Sequence, residues 1–335
     1  MTRLGRTTAV VSTLTLAASL AACSSDADTL TVYSAQHESL VRTMLEDFTE
    51  ETGIELEFRD ANDSELANQI IEEGDASPAD VFLTENSPAI DVVDRAGLLA
   101  PLEEETLSQV GEQYRPSSGN WVGFAARSTA LIHNPSEISE EELPASMLDL
   151  ADPAWQGRVG IAAGGADFQA IVSAVLALEG EEATREWLAG LERNAEIYAS
   201  NTAIMKAVDE GEVPVGITYH YYWFRDQAQN GLIGDDAALH YFRNQDPGAF
   251  LSVSGAGVLA SSDQPEQAQQ LVAYLTSRAA QERLADSSAL EYAVGTGVAS
   301  ADALPPLAEL QAPPVDPGSL DAPKVTELMQ EVGLL

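Results

Sequence analysis

Two stretches frame the fold: Leu30-Thr31-Val32-Tyr33-Ser34-Ala35-Gln36-His37, and Ser77-Pro78-Ala79-Asp80-Val81-Phe82-Leu83-Thr84-Glu85. Residues 30–33 form a short apolar strand, after which Leu40, Val41, Met44, Leu45 and Phe48 recur at helical spacing until Gly53 stops the helix. Ile54, Leu56 and Phe58 then alternate as a strand. Asn62-Asp63-Ser64 offers caps for a helix with Leu66, Ile70 and Ile71 on one face and Gly74 at its end, and Val81-Phe82-Leu83 is the next buried strand. Strand, helix, strand, helix, strand predicts an α/β fold with a mostly parallel sheet covered by helices.

The same alternation resumes in a second block near Ala126. It predicts a strand over 158–162, a buried helix over 168–178, a helix over 182–191, a helix over 202–209 capped by Asn201, and a strand over 213–218. After Asp246-Pro247-Gly248 comes an apolar, glycine-bearing run over 250–260, then a helix opened by Pro265. A proline-rich tail over 304–317 is expected to wrap the surface before a last helix from Ala322. The 335 residues suit two domains, and no internal repeat interrupts them.

Composition narrows the function. The 54 acids against 16 bases give a formal net charge of −38, and Lys206 and Lys324 are the only lysines. Such a chain repels polyanions, so a nucleic-acid partner is excluded. The single cysteine excludes an intramolecular disulfide and a cysteine-rich zinc site. Its position is informative: Arg3 and Arg6 precede an apolar run over 7–20, too short for a membrane span, which leads into Leu20-Ala21-Ala22-Cys23. That tetrapeptide, followed by polar Ser24-Ser25-Asp26, resembles the bacterial lipobox. Residues 1–22 are therefore expected to be a lipoprotein signal peptide, Cys23 the lipidated residue and 23–29 a tether holding the protein outside the cell membrane.

In open α/β sheets, ligands collect beyond the carboxyl ends of the strands. That rule selects His37 after the first strand, Glu85 after residues 81–83, and Tyr221 with Tyr222 after the strand ending at Thr218. One imidazole, one carboxylate and two phenols suit a hard, highly charged cation such as ferric iron better than zinc or copper. Each also has an ordinary reading: a solvated histidine, one acid among 54, and aromatic packing within Tyr219-His220-Tyr221-Tyr222-Trp223-Phe224. Spacing alone does not choose between these.

Taken together, Val32-Tyr33-Ser34-Ala35-Gln36-His37, Ser77-Pro78-Ala79-Asp80-Val81-Phe82 with Glu85, Trp121-Val122 with Arg127-Ser128, Tyr221-Tyr222-Trp223, Asp246-Pro247-Gly248-Ala249 and Ser254-Gly255-Ala256 resemble the ferric-iron-binding proteins of bacterial ABC importers. The resemblance runs unbroken from about Leu30 to Leu335. It implies a two-lobed periplasmic-binding-protein fold of type II, with an N-terminal lobe of 30–127 plus 253–303 and a C-terminal lobe of 128–252 plus 304–335. Crossing hinge strands would join the lobes near Arg127 and Ser252. It further implies that His37, Glu85, Tyr221 and Tyr222 hold Fe(III) between the lobes. The protein would be a non-enzymatic monomer serving an ABC permease and its ATPase. Trp223 and Phe224 could wall the site and His220 could act as a donor behind it, while His133 and His240 fall outside the motifs.

One departure stands out. Many relatives hold phosphate or carbonate on a Ser-Gly-Ala turn and two asparagines; the matching positions here are Gly165-Ala166-Asp167, Asn201 and Tyr219. Asp167 places a negative charge where phosphate would sit, unless Arg127 or Arg225 offsets it. Carbonate, water, Tyr219 or Asp167 itself is therefore expected to complete the shell. Two alternatives remain: a polyamine, thiamine or phosphonate in the same fold, and an extracellular hydrolase using paired carboxylates. The polyamine reading gives the adjacent tyrosines no role, and no G-x-S-x-G, H-E-x-x-H or P-loop segment supports the hydrolase.

Overall fold

The computed structural model describes residues 29–335 apart from 230, 232 and 234–236, so the expected signal peptide over 1–22 and the expected lipidation at Cys23 lie outside the described residues. Among the described residues there are nine strands: β1 (Thr29–Ser34), β2 (Glu55–Asp60), β3 (Val81–Leu83), β4 (Trp121–His133), β5 (Val159–Ile161), β6 (Ala195–Ile197), β7 (Val215–Tyr219), β8 (Ala238–His240) and β9 (Leu251–Val258). They hydrogen-bond in the order β2-β1-β3-β9-β4-β7-β5-β6, with β8 also on β4. β1 runs parallel to β2 and β3, and β5 parallel to β6 and β7. β9 and β4 join these groups through antiparallel pairs. Each body thus has a parallel group of strands as expected, and the sheet as a whole is mixed because the chain runs back through the middle to link its two α/β halves.

Two main cores flank this middle. The first gathers Leu30, Val32, Phe82, Trp121, Val258 and Leu271, and the second Leu131, Ile161, Val172, Leu188, Ile217 and Leu328. β4 serves both: residues Trp121–Ser128 pair with β9, and Thr129–His133 pair with β7. All thirteen of its residues are buried. Arg127 lies opposite Ser252, at the place where the crossing strands were expected to pass between lobes. Close approach of the two strands depends on Gly123, where a Cβ would collide with Val253 and stand 2.7 Å from the Tyr114 carbonyl. Leu304 and Leu310 pack into the first core and Leu320 into the second.

Several local readings shift for physical reasons. The helix expected up to Gly53 is two helices, Glu38–Met44 and Phe48–Thr52; Gly53 closes the second with φ 75°, a conformation that side chains with a Cβ avoid. Ile71 is 38% exposed, and Ala67 takes its place on the buried face of Asp63–Glu73. Ser200, not Asn201, caps the helix Asn201–Asp209 by accepting from Ala203 N, which leaves the Asn201 side chain for another use.

Candidate metal centre

Five strand ends deliver the site. His37 caps the helix that follows β1, Glu85 lies two residues past β3, and Asp167 is in the first turn of Ala166–Glu179 after β5. Asn201 opens the helix after β6. Tyr219 ends β7 and stands at the N-cap of His220–Ala228, which puts Tyr221 and Tyr222 in that helix's first turn. Each element points its carboxyl-terminal strand end or its helix N-terminus at one spot, the placement that open α/β sheets favour for ligands.

Three of the four expected ligands meet there. His37 Nε2 is 3.2 Å from the Tyr221 hydroxyl and 3.3 Å from Glu85 Oε1, and the Tyr221 hydroxyl donates to Glu85 Oε1 at 3.1 Å. Donors about 2.1 Å from one ion and at right angles to each other stand about 3 Å apart, so this triangle has the edge lengths of a coordination polyhedron. The fourth, Tyr222, packs ring against ring with Tyr221, centroids 4.2 Å apart, and its hydroxyl donates to Asp167 Oδ2 at 3.0 Å. Among the described residues no three His, Cys, Asp or Glu side chains form a metal-holding group, so any metal here depends on the phenols.

Electrostatics set the protonation states. Burial, then the charges of Asp167 and Glu85, hold the Tyr221 and Tyr222 hydroxyls above the ordinary phenol value. Burial opposes ionisation of Glu85 as well, yet the His37 hydrogen bond and Arg127 win and keep it below the usual carboxylate range. The same hydrogen bond to Glu85 raises His37.

Asp167 meets the site through Tyr222. Its Oδ1 accepts from Asn86 Nδ2 at 3.0 Å, and its Oδ2 accepts from Asn201 Nδ2 at 2.8 Å as well as from Tyr222. Burial pushes this carboxyl up to about 6. Gly165 is the N-cap of the helix and Ala166 its first residue, and neither provides a side-chain cap. Tyr219 is buried beside Asp167, with its hydroxyl 3.3 Å from the Asp167 carbonyl and 3.4 Å from Asn86 Oδ1. Arg127 is fully buried and lies 3.1 Å from Glu85 Oε1, while the Arg225 guanidinium sits 5.9 Å from the Tyr221 ring centre. His220 does not donate toward the tyrosines: its Nδ1 accepts from Ser128 N, its ring stacks on Tyr292, and burial depresses its pKa to about 3.

Sequence reasoning did not single out Asn86 or Asp63. Asp63 accepts from the backbone N–H of Glu85 and of Asn86, at 2.9 and 3.0 Å, and so clamps the turn that presents Glu85. In the sequence it read only as one of three helix-capping residues. A cavity of 400 Å³ lined by Asp63, Asn86, Ala166 and Gln169 opens beside the site between the two bodies. The larger cavity of 720 Å³, bordered by Pro101, Arg115 and Pro317, is lined by none of these donors.

Two bodies joined by crossing strands, with polar donors from both converging between them, define a solute-binding protein. The chain belongs to the bacterial extracellular solute-binding proteins, whose family profile matches residues 76–316. It is 51% identical over 332 residues to the Fe(3+)-binding periplasmic protein of Serratia marcescens, covering 99% of this chain and 98% of that one. It is 34% identical to the major ferric iron-binding protein of Neisseria meningitidis, covering 95% and 97%. Among solved structures, iron-bound HitA from Pseudomonas aeruginosa aligns with a TM-score of 0.85 at 42% identity, over 91% of this chain and 99% of that one. The fold is that of the type II periplasmic-binding proteins.

Proposed function

We propose that this protein captures ferric iron between its lobes and delivers it to an ABC permease driven by its ATPase. The observation that carries this reading is the His37, Glu85 and Tyr221 triangle, whose 3.1 to 3.3 Å edges are drawn from both bodies. The names of the relatives in Serratia and Neisseria support the choice of iron. In this reading Tyr221 and Tyr222 bind as phenolates, since a trivalent ion can displace protons that burial alone would retain. Asp167 takes the place of an external anion, already held by Asn86 and Asn201 and in contact with Tyr222. The protein acts by binding and release rather than by catalysis, as a monomer tethered outside the membrane through Cys23.

Iron titration tests the cargo. Phenolate ligands on ferric iron give a visible charge-transfer colour, which Tyr221→Phe combined with Tyr222→Phe abolishes; a polyamine or phosphonate binder stays colourless. Absence of both colour and thermal stabilisation would refute the ferric reading, because a ligand specific for the folded state raises its stability. Loading with and without phosphate or carbonate tests Asp167: affinity and spectrum should not depend on either anion, and a strict requirement for one would show that Asp167 does not complete the shell. For the anchor, Cys23→Ser should release the protein or leave an uncleaved precursor, and unchanged membrane association would refute it.

A further inference from the structure

Behind the candidate ligands lies a buried charge pair that the binding scheme leaves unused. Arg127, midway along β4, is 0% exposed, and Glu291, 1% exposed, sets its Oε2 2.7 Å from Arg127 Nη2. Glu291 follows Leu290, whose φ of 54° is one that a bulky side chain rarely adopts. Immediately afterwards the loop is fastened to β4 by paired backbone hydrogen bonds between Ala126 and Tyr292. Unfavourable backbone and buried carboxylate together deliver one negative charge to the rear of Arg127.

The front of the same guanidinium faces the metal donors. Nη1 lies 3.1 Å from Glu85 Oε1, the oxygen that also meets Tyr221 and His37. This approach lacks hydrogen-bond geometry; among the described residues neither Nη1 nor Nε finds a directed partner. Nη2, by contrast, is held twice, by Glu291 and by Ser254 Oγ at 2.8 Å. Ser254 Oγ also accepts from Gln36 Nε2 at 2.7 Å and donates to the Glu85 carbonyl at 3.1 Å, while Gln36 Oε1 accepts from His37 N at 2.7 Å. One network therefore runs from Glu291 to the backbone of both ligands on its side of the cleft.

A guanidinium this close competes with a cation for Glu85, because a desolvated carboxylate pairs strongly with whichever positive group reaches it. We propose that Glu291 is a positioning residue that holds Arg127 back from Glu85 and keeps that carboxylate available to the metal. This rests on the ferric-iron reading above. Deprived of the Glu291 charge, Arg127 keeps Glu85 as its one ion-pair partner among the described residues, turns fully onto it, and fills the site with an internal cation.

The test measures ferric iron affinity by competition from ferric nitrilotriacetate, with the visible band and the unfolding midpoint of the metal-free form, in wild type, Glu291→Gln, and Arg127→Gln combined with Glu291→Gln. Wild-type protein that takes no iron defeats the ferric reading itself. With wild type loading normally, Glu291→Gln should bind about 10–100-fold more weakly, the range seen when groups behind a metal ligand are altered, and its band should shift as Glu85 withdraws. The double variant removes the competing cation and should recover to within about fivefold of wild type, an outcome that loss of a merely structural contact would not produce. Glu291→Gln at wild-type affinity, or a double variant no better than the single one, overturns the proposal. If Glu291→Gln does not fold, the double variant decides alone: it must fold and bind iron within about tenfold of wild type, and failure on either count also overturns it.

Discussion

Iron capture by this site should be a proton-releasing reaction whose stoichiometry can be counted. In the metal-free protein both tyrosines are phenols, each held above its ordinary pKa first by burial. As ferric ligands they must be phenolates, so each gives up one proton on loading. Asp167 retains its charge above about 7, because its pKa lies near 6 and two amide groups donate to it. At pH 9 the two phenols therefore account for two protons per iron, and the conditional affinity climbs about 100-fold per pH unit, or about 2.7 kcal/mol. His37, raised by Glu85, adds a further proton below its own pKa, so the dependence steepens toward acid. The assay is proton release in weakly buffered solution, with iron delivered from one chelate so that the chelate's own protons cancel between proteins. Tyr222→Phe and Tyr221→Phe should each release one proton fewer than wild type, and the double variant two fewer. Equal yields from wild type and the double variant would refute the phenolate assignment.

Three other outcomes follow from described contacts. Gln281 is fully buried; it donates to the Phe124 and Leu275 carbonyls and accepts from Val294 N and Gly295 N, so Gln281→Ala should lower stability by about 2–6 kcal/mol in urea titrations, at ~1–3 kcal/mol for each of the two orphaned N–H donors; a loss below ~1 kcal/mol would contradict this. Burial raises the Asp63 carboxyl to about 7, so the metal-free folded state binds more protons than the unfolded chain between about pH 4 and 7. This group's contribution to stability accordingly falls as pH rises through that window, and Asp63→Asn should flatten the measured slope. Finally, with a formal charge of −38, the thermal midpoint should climb as sodium chloride rises from about 0.05 to about 1 M, since screening relieves self-repulsion; a flat response would show that the acids are locally compensated.

The sequence revealed most where local rules suffice. Residues 30–33 and 81–83 are apolar and bounded by polar turns, and the structure places strands at both; the helices opened by Pro265 and beginning at Ala322 also follow their local signals. The direction of the middle strands could not be read, because β4 is buried along its whole length and carries no alternation that would distinguish parallel from antiparallel neighbours. The split at Leu45 was hidden by apolar spacing that continues across it. At the site, strand ends located His37, Glu85, Tyr221 and Tyr222. Their supports were invisible: Asn86 and Glu291 are polar residues whose use depends on partners 81 and 164 positions away. Composition hid Glu291 further, since nothing local in the sequence separates it from the other 53 acids.

The crossing strands also dictate the order in which the chain can be completed. β3 has no neighbour on its far side until β9 arrives, with Val81 paired to Val258, and β4 lies between partners on either side, with Trp121 paired to Gly257. The first body, although it begins the sequence, cannot close its sheet before the second has been made. Such distant pairing slows folding, because the connecting loop must be ordered before its contacts reward it. The second body has its β4–β7 pair by Tyr219, yet it takes Val325, Leu328 and Met329 into its core, so it too is completed by the end of the chain. Both bodies are thus sealed by segments from the far end of the chain, β9 for the first and the last helix for the second, so a truncation that removes either leaves an apolar surface uncovered.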